Sequence, residues 1–115
     1  MTRRRTEYTI PASLVNGATP TLAGQTFPAW EYGPLVVLKL GARDYSITAR
    51  ASGFTVLPSH RPMTNPRKAR LCAAVLAELP FPWDCLDPIE FGRRCEDAPK
   101  WAQELCRRIR YAGFL

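Results

Sequence analysis

The stretch Leu35-Val-Val-Leu-Lys-Leu-Gly-Ala-Arg-Asp-Tyr-Ser-Ile-Thr-Ala-Arg50 decides the fold, because it holds two strand patterns around one turn. Leu35–Leu40 is an apolar run with β-branched residues at its centre, which is typical of a strand covered on both faces. Tyr45–Arg50 alternates apolar and polar residues, the pattern of a half-buried antiparallel strand. Because Gly41–Arg43 can turn the chain between them, the stretch predicts a β-hairpin.

The sheet is expected to extend on both sides of this hairpin. After it, Gly53 ends a second tight turn in which it tolerates a positive φ, and Phe54–Leu57 is predicted to return as a third strand. Before it, residues 1–34 hold four prolines, so we expect only short extended pieces at Glu7–Ile10 and Ser13–Val15, followed by a loop. The N-terminal half therefore predicts a small antiparallel sheet of three to four strands.

From residue 65 onward the pattern becomes helical. Asn65-Pro66 and Asp87-Pro88 are N-cap signatures that open a first helix, which Pro80 ends, and a short second helix. A third helix, capped by Asp97, is predicted by a single apolar stripe formed by Ala98, Trp101, Ala102, Leu105, Ile109 and Ala112. We therefore predict an α+β fold in which three helices pack on one face of the sheet.

Length and composition fit one domain of 115 residues, 46% of them hydrophobic and 23% charged. We expect residues 1–6 to form a flexible basic arm, 7–58 a β-rich part and 65–112 a helical part. No apolar run approaches the ~18 residues of a membrane-spanning helix, and we expect no secretory signal and a cytoplasmic location. The four cysteines include no Cys-x-x-Cys pair, so we expect small buried thiols and no zinc site.

Charge is unevenly distributed along the chain, whose formal net charge is +6. No acidic residue occurs from Tyr45 to Ala77, whereas six of the ten acidic residues lie between positions 78 and 97. Arg67, Lys68 and Arg70 begin the first helix, where the positive end of the helix dipole disfavours cations. A helix N-terminus that combines free backbone N–H groups with flanking cations is typical of an anion site.

We predict a non-enzymatic basic binding protein that engages a nucleic acid or nucleoprotein surface through this anion site. Nothing in the sequence indicates a cofactor, a metal or a membrane partner, and it does not predict the oligomeric state. A solvated basic turn without a ligand is the structural alternative. The candidate binding residues are His60, Arg61, Thr64, Asn65, Arg67, Lys68 and Arg70, with Arg3, Arg4 and Arg5 of the arm assisting.

Two other functions stay open. Residues Tyr45–Pro58, followed by a helix that closes in Ala77-Glu-Leu-Pro-Phe-Pro-Trp83, resemble the hairpin, helix and aromatic loop of small proteins encoded by phages and other mobile elements. That resemblance implies an accessory role, such as inhibition of a host effector in the manner of anti-CRISPR proteins through an acidic or nucleic-acid-binding groove. It assigns no residue a function. The acidic spacing Asp84, Asp87 and Glu90 suggests a metal-dependent nuclease, although a proline breaks any common helical face.

Overall fold

In a computed structural model, the chain forms a four-stranded antiparallel sheet followed by three helices. The structure describes residues 3–12, 20, 22–56 and 63–112, without the side chains of 3–5 and 110–112. Its elements are β1 (Arg3–Thr9), β2 (Thr26–Tyr32), β3 (Leu35–Gly41), β4 (Asp44–Ala49), α1 (Pro66–Ala77), α2 (Pro88–Cys95) and α3 (Lys100–Ala112). The strands lie in the order β1-β2-β3-β4. The predicted α+β fold is confirmed.

The main core lies between one face of the sheet and the helices. Val37 of β3 and Ile47 of β4 meet Leu76 of α1 and Ile109 of α3 in one cluster, and each of the four is at most 1% exposed. Burying an aliphatic side chain of this size contributes about 1.5–3 kcal/mol. This cluster therefore holds α1 and α3 on the sheet, while α2 has no fully buried residue.

The opposite face of the sheet is covered as well. Val36 and Leu38 of β3 pack there with Ile10, which follows β1. Thr48, predicted on the exposed side of a half-buried strand, is only 2% exposed, so that prediction for β4 is wrong. The Thr48 hydroxyl lies 3.3 Å from the hydroxyl of Ser46, which gives the buried group a hydrogen-bond partner.

The N-terminal segment is more regular than its prolines suggested. β2 occupies a stretch predicted to be a loop, and Pro28 lies within it. The β2–β3 ladder begins at Ala29, so the missing N–H of Pro28 breaks no bond to β3. β1 begins at Arg3 and pairs with β2 along its whole length. Residues 3–6, predicted as part of an arm, therefore belong to a strand.

The predicted third strand after β4 is reduced to a single bridge between Thr55 and Thr48. Gly53 does take the predicted positive φ, +82°, and its N–H donates to the Ala49 carbonyl, so the tight turn is confirmed. The Ala49 N–H donates to the Phe54 carbonyl and the Val56 N–H donates to the Ile47 carbonyl, so the chain beyond the turn lies beside β4 without forming a regular strand. Leu57 and the predicted strand Ser13–Val15 lie outside the described residues.

The helix starts follow the predicted caps in two cases out of three. The side chains of Asn65 and Asp87 cap α1 and α2 as predicted. Asp97 does not cap α3: it lies in a turn that continues α2, and the first carbonyl to accept from the helix is that of Pro99, which receives the N–H groups of Ala102 and Gln103. α3 consequently begins at Lys100. The predicted apolar stripe is also interrupted, since Trp101 is 62% exposed.

Only one of the four free cysteines is fully buried, so the expectation of buried thiols holds for Cys72 alone. Burial raises the pKa of the Cys72 thiol, and the charge of Lys68 opposes that rise. Since the thiolate is the reactive form, we expect Cys72 to resist a thiol reagent at pH 8 in the native protein and to react once the protein is unfolded. Residue-resolved labelling measures this. Labelling of Cys72 as fast as that of half-buried Cys85 would contradict it.

Candidate polyanion-binding surface

The first turn of α1 has its backbone donors occupied. The Asn65 side-chain oxygen accepts from the N–H groups of Arg67 at 2.9 Å and Lys68 at 3.3 Å. The Ala69 N–H donates to the Asn65 carbonyl at 3.1 Å, and Pro66 has no N–H to offer. The expected free backbone donors are therefore absent from this helix start, and any anion here must be bound by side chains.

Among the described side chains, the two arginines of α1 make no ion pair with the acidic segment 78–97. Arg67 and Lys68 are exposed, and the first turn contains no acidic residue. Glu90 of the acidic segment pairs instead with Arg93, at 3.4 Å. None of the ion pairs that join described side chains involves Arg67 or Arg70. Their charge is therefore not neutralised within the part of the chain that the structure describes.

Arg70 is held in place by two aromatic residues of β2. Its Nε donates to the Tyr32 hydroxyl at 3.0 Å, and its guanidinium carbon lies 5.4 Å from the centre of the Trp30 ring. Such a cation–π contact is worth roughly 0.5–1 kcal/mol at a partly exposed site. Because Nε is used, the two terminal nitrogens are the donors left for a ligand. A fixed guanidinium of this kind suits phosphate, which it binds in a bidentate manner.

The pairing of β1 with β2 places two of the three N-terminal arginines opposite the aromatic residues that Arg70 contacts. Arg5 lies opposite Trp30 and Arg3 lies opposite Tyr32, so both occupy register positions on the face of the sheet that α1 covers. Arg4 lies opposite Glu31, on the other face, where Glu31 pairs with Arg50 at 3.7 Å. The structure therefore divides the arginine run and assigns two of its three members to the neighbourhood of Arg70.

We call the resulting patch the basic surface. Arg3 and Arg5 of β1 lie opposite Tyr32 and Trp30, Arg70 of α1 contacts both aromatic residues, and Arg67 and Lys68 precede Arg70 on α1. The basic surface consists of these five residues. Thr64 is exposed beside the start of α1, and Asn65 is committed to its cap. Of the other predicted site residues, Arg4 belongs to the opposite face, and His60 and Arg61 lie outside the described residues.

Trp30 and Tyr32 are the site residues that the sequence did not reveal. Tyr32 is buried and Trp30 packs against the core, with its ring 6.4 Å from that of Tyr45. Their role in the candidate site depends on Arg70, whose guanidinium lies over the Trp30 ring and donates to the Tyr32 hydroxyl. The strand pairing that places the arginines there joins segments far apart in sequence, so no local pattern could have shown it.

A pocket lies between α2 and α3, and its lining carries equal numbers of positive and negative side chains. This pocket has a volume of about 650 Å³ and is walled by aromatic residues that include Trp83 and Phe91. Its charged lining consists of two carboxylates and two cations, Glu96, Glu104, Lys100 and Arg107. Arg107 pairs with Glu104 at 2.8 Å. The pocket therefore lacks the excess positive charge that a polyanion site requires, which leaves the basic surface as the candidate.

No protein-family model, curated protein or solved structure matches this chain. Within the described ranges, no three His, Cys, Asp or Glu residues are grouped so that they could hold a metal ion. No helix in the described part of the chain has the length and apolar character needed to cross a bilayer. The function must therefore be argued from the site itself.

Proposed function

We propose that this protein is a nucleic-acid-binding protein that grips the phosphate backbone through the basic surface, without catalysis. The observation that carries the proposal is the seating of Arg70 on Trp30 and Tyr32. A guanidinium fixed in this way loses little conformational freedom when it binds a phosphate. Its surroundings supply further cations, so successive phosphates of a strand meet several positive charges.

The same geometry favours recognition of the backbone over recognition of bases. Stacking on a base requires an open aromatic face. The Trp30 ring has Arg70 over it, packs against Tyr45, and is only partly exposed. The side chains that remain at the surface are cations, which contact phosphates irrespective of sequence. We therefore propose binding that is independent of base sequence, in the cytoplasm, where the thiols stay reduced.

The test is the affinity of the protein for a 20-base-pair duplex of mixed sequence, measured by fluorescence anisotropy across a salt series. If all five cations of the basic surface contact phosphates, log K falls with log [salt] with a slope of about −4 to −5, because each contact contributes about −0.9. A second duplex of unrelated sequence is expected to bind equally well. A flat salt response, or no binding at about 50 mM salt, would rule out the proposal.

A polyglutamate chain of similar length serves as the comparison ligand. Polyglutamate is flexible and does not hold its carboxylates at the regular spacing of duplex phosphates, so ordering it on the surface costs more conformational entropy and we expect weaker binding than to the duplex. Tighter binding to polyglutamate would favour the alternative of an accessory protein that docks on an acidic protein surface.

A further inference from the structure

The two edges of the sheet differ in whether a further chain segment pairs with them. Beside β4, the Tyr45 N–H donates to the Met63 carbonyl and the Val56 N–H donates to the Ile47 carbonyl, each at 2.8 Å, so later chain segments cover that edge. β1 forms the opposite edge and pairs with β2 alone among the described strands. An edge of this kind presents unpaired N–H and C=O groups at alternate residues, which are ready to pair with another strand.

β1 is a regular edge. Its register with β2 is continuous over seven residue pairs, without a bulge, and it contains no proline. Bulges, prolines and very short strands are the usual devices that prevent edge-to-edge association. The remaining device is charge: three consecutive arginines, Arg3 to Arg5, repel an identical strand in every register that sets them against one another.

Among the registers that pair at least five residues of β1, one sets no like charges opposite each other. In a dimer with a two-fold axis perpendicular to the sheet, directly opposed residues lie on the same face, so the axis must pass beside a residue and not between two. Centring it on Thr6 sets Arg5 of each copy opposite Glu7 of the other. It also pairs the strand over its full length, since Arg3 then lies opposite Thr9.

The neighbouring registers are worse. Centring the axis on Arg5 places Arg5 against its own copy, and centring it on Glu7 places two carboxylates together, both of which are destabilising. Glu7 is exposed and makes no ion pair with a side chain that the structure describes, so it is available to the second copy.

We infer that this protein forms a two-fold symmetric dimer in which two β1 strands pair antiparallel about Thr6, joining two four-stranded sheets into one of eight strands with reciprocal Arg5–Glu7 contacts. The occupant of the edge is thus a second copy of the chain. An interface of one strand pair is small, so the dimer is expected to be weak and visible at a protein concentration of about 0.1 mM.

The test is sedimentation equilibrium of the full chain at low salt without nucleic acid, which keeps its result separate from the proposed function. The wild-type protein is expected to be dimeric. In this register, Glu7→Arg sets four arginines in two repelling pairs, and Arg5→Glu sets four carboxylates in two repelling pairs. Each variant is expected to weaken dimerisation at least about tenfold. Asp44→Arg, an exposed carboxylate at the start of β4, is the matched control and should leave the dimer unchanged.

Two combinations identify the register. The double variant Arg5→Glu/Glu7→Arg restores opposite charges in the same register and is expected to dimerise like the wild type. An equimolar mixture of the two single variants is expected to form heterodimers. A monomeric wild-type protein, a dimer insensitive to both single reversals, or a double variant that stays monomeric while circular dichroism shows it folded would overturn the inference.

Discussion

Replacing Gly53 with alanine is expected to lower the free energy of unfolding by about 3 kcal/mol. Gly53 has φ +82°, a conformation that costs an L-residue with a Cβ roughly 1–2 kcal/mol. An added Cβ would lie 2.8 Å from Pro11 Cδ and 3.0 Å from Ile10 Cγ2, which are closer than van der Waals contact. The proline ring cannot rotate away, so overpacking adds a further cost of about 1–3 kcal/mol.

Gly33→Ala is the matched control for this prediction. Gly33 also has a positive φ, +59°, but an added Cβ would meet nothing within 4 Å. Alanine at this position is expected to lower the free energy of unfolding only by the cost of the left-handed backbone conformation, about 1 kcal/mol. Urea denaturation followed by tryptophan fluorescence gives both values. Equal losses in the two variants would show that the turn at Gly53 is not packed against Ile10 and Pro11.

Reversing both arginines of α1, as Arg67→Glu/Arg70→Glu, is expected to weaken duplex binding at least about 100-fold at low salt. Each charge-assisted hydrogen bond to a phosphate is worth about 1.5–3 kcal/mol, and the new carboxylates repel the backbone. Arg70 carries the larger share because its contacts with Trp30 and Tyr32 fix it in position. Anisotropy titration with the same duplex measures the change, and thermal unfolding checks that the variant is folded.

The control variant changes the net charge by the same amount at a different place on the surface. Arg94→Glu/Arg108→Glu changes the net charge by the same amount, at two exposed arginines on α2 and α3 that have no ion pair with a described side chain. If the basic surface is the binding site, this control loses much less affinity, since only the long-range field is altered. Equal losses in the two double variants would mean that binding follows net charge and not this surface.

Local patterns predicted most of the helices and the central hairpin. Asn65 and Asp87 cap α1 and α2 because a short polar side chain before a proline satisfies the first backbone donors from within the local sequence. β3 was recognisable because a buried strand needs an apolar run with β-branched residues. These signals depend only on neighbours along the chain, so no knowledge of packing was needed.

The candidate site was predicted only in part. The cations of α1 were visible as misplaced charge, but the same Asn65 that was predicted as a cap occupies the donors on which a backbone anion site would depend. The sequence predicts a basic arm over residues 1–6 and does not predict that β1 begins at Arg3. Three arginines in a row indicate solvent exposure, and only the ladder with β2 gives them a fixed position.

By itself, the sequence determined the central hairpin, the presence of three helices, the starts of α1 and α2, and the excess of positive charge in the first two thirds of the chain. The tertiary structure alone decided which charges meet. It sets Arg70 over Trp30 and Tyr32 and places Arg3 and Arg5 opposite those two residues. Arg70 is more than sixty positions from Arg3 and Arg5 in the sequence. The physical reason is that caps and hydrophobic periods act over a few residues, whereas a surface is made by strand pairing and helix packing between distant segments.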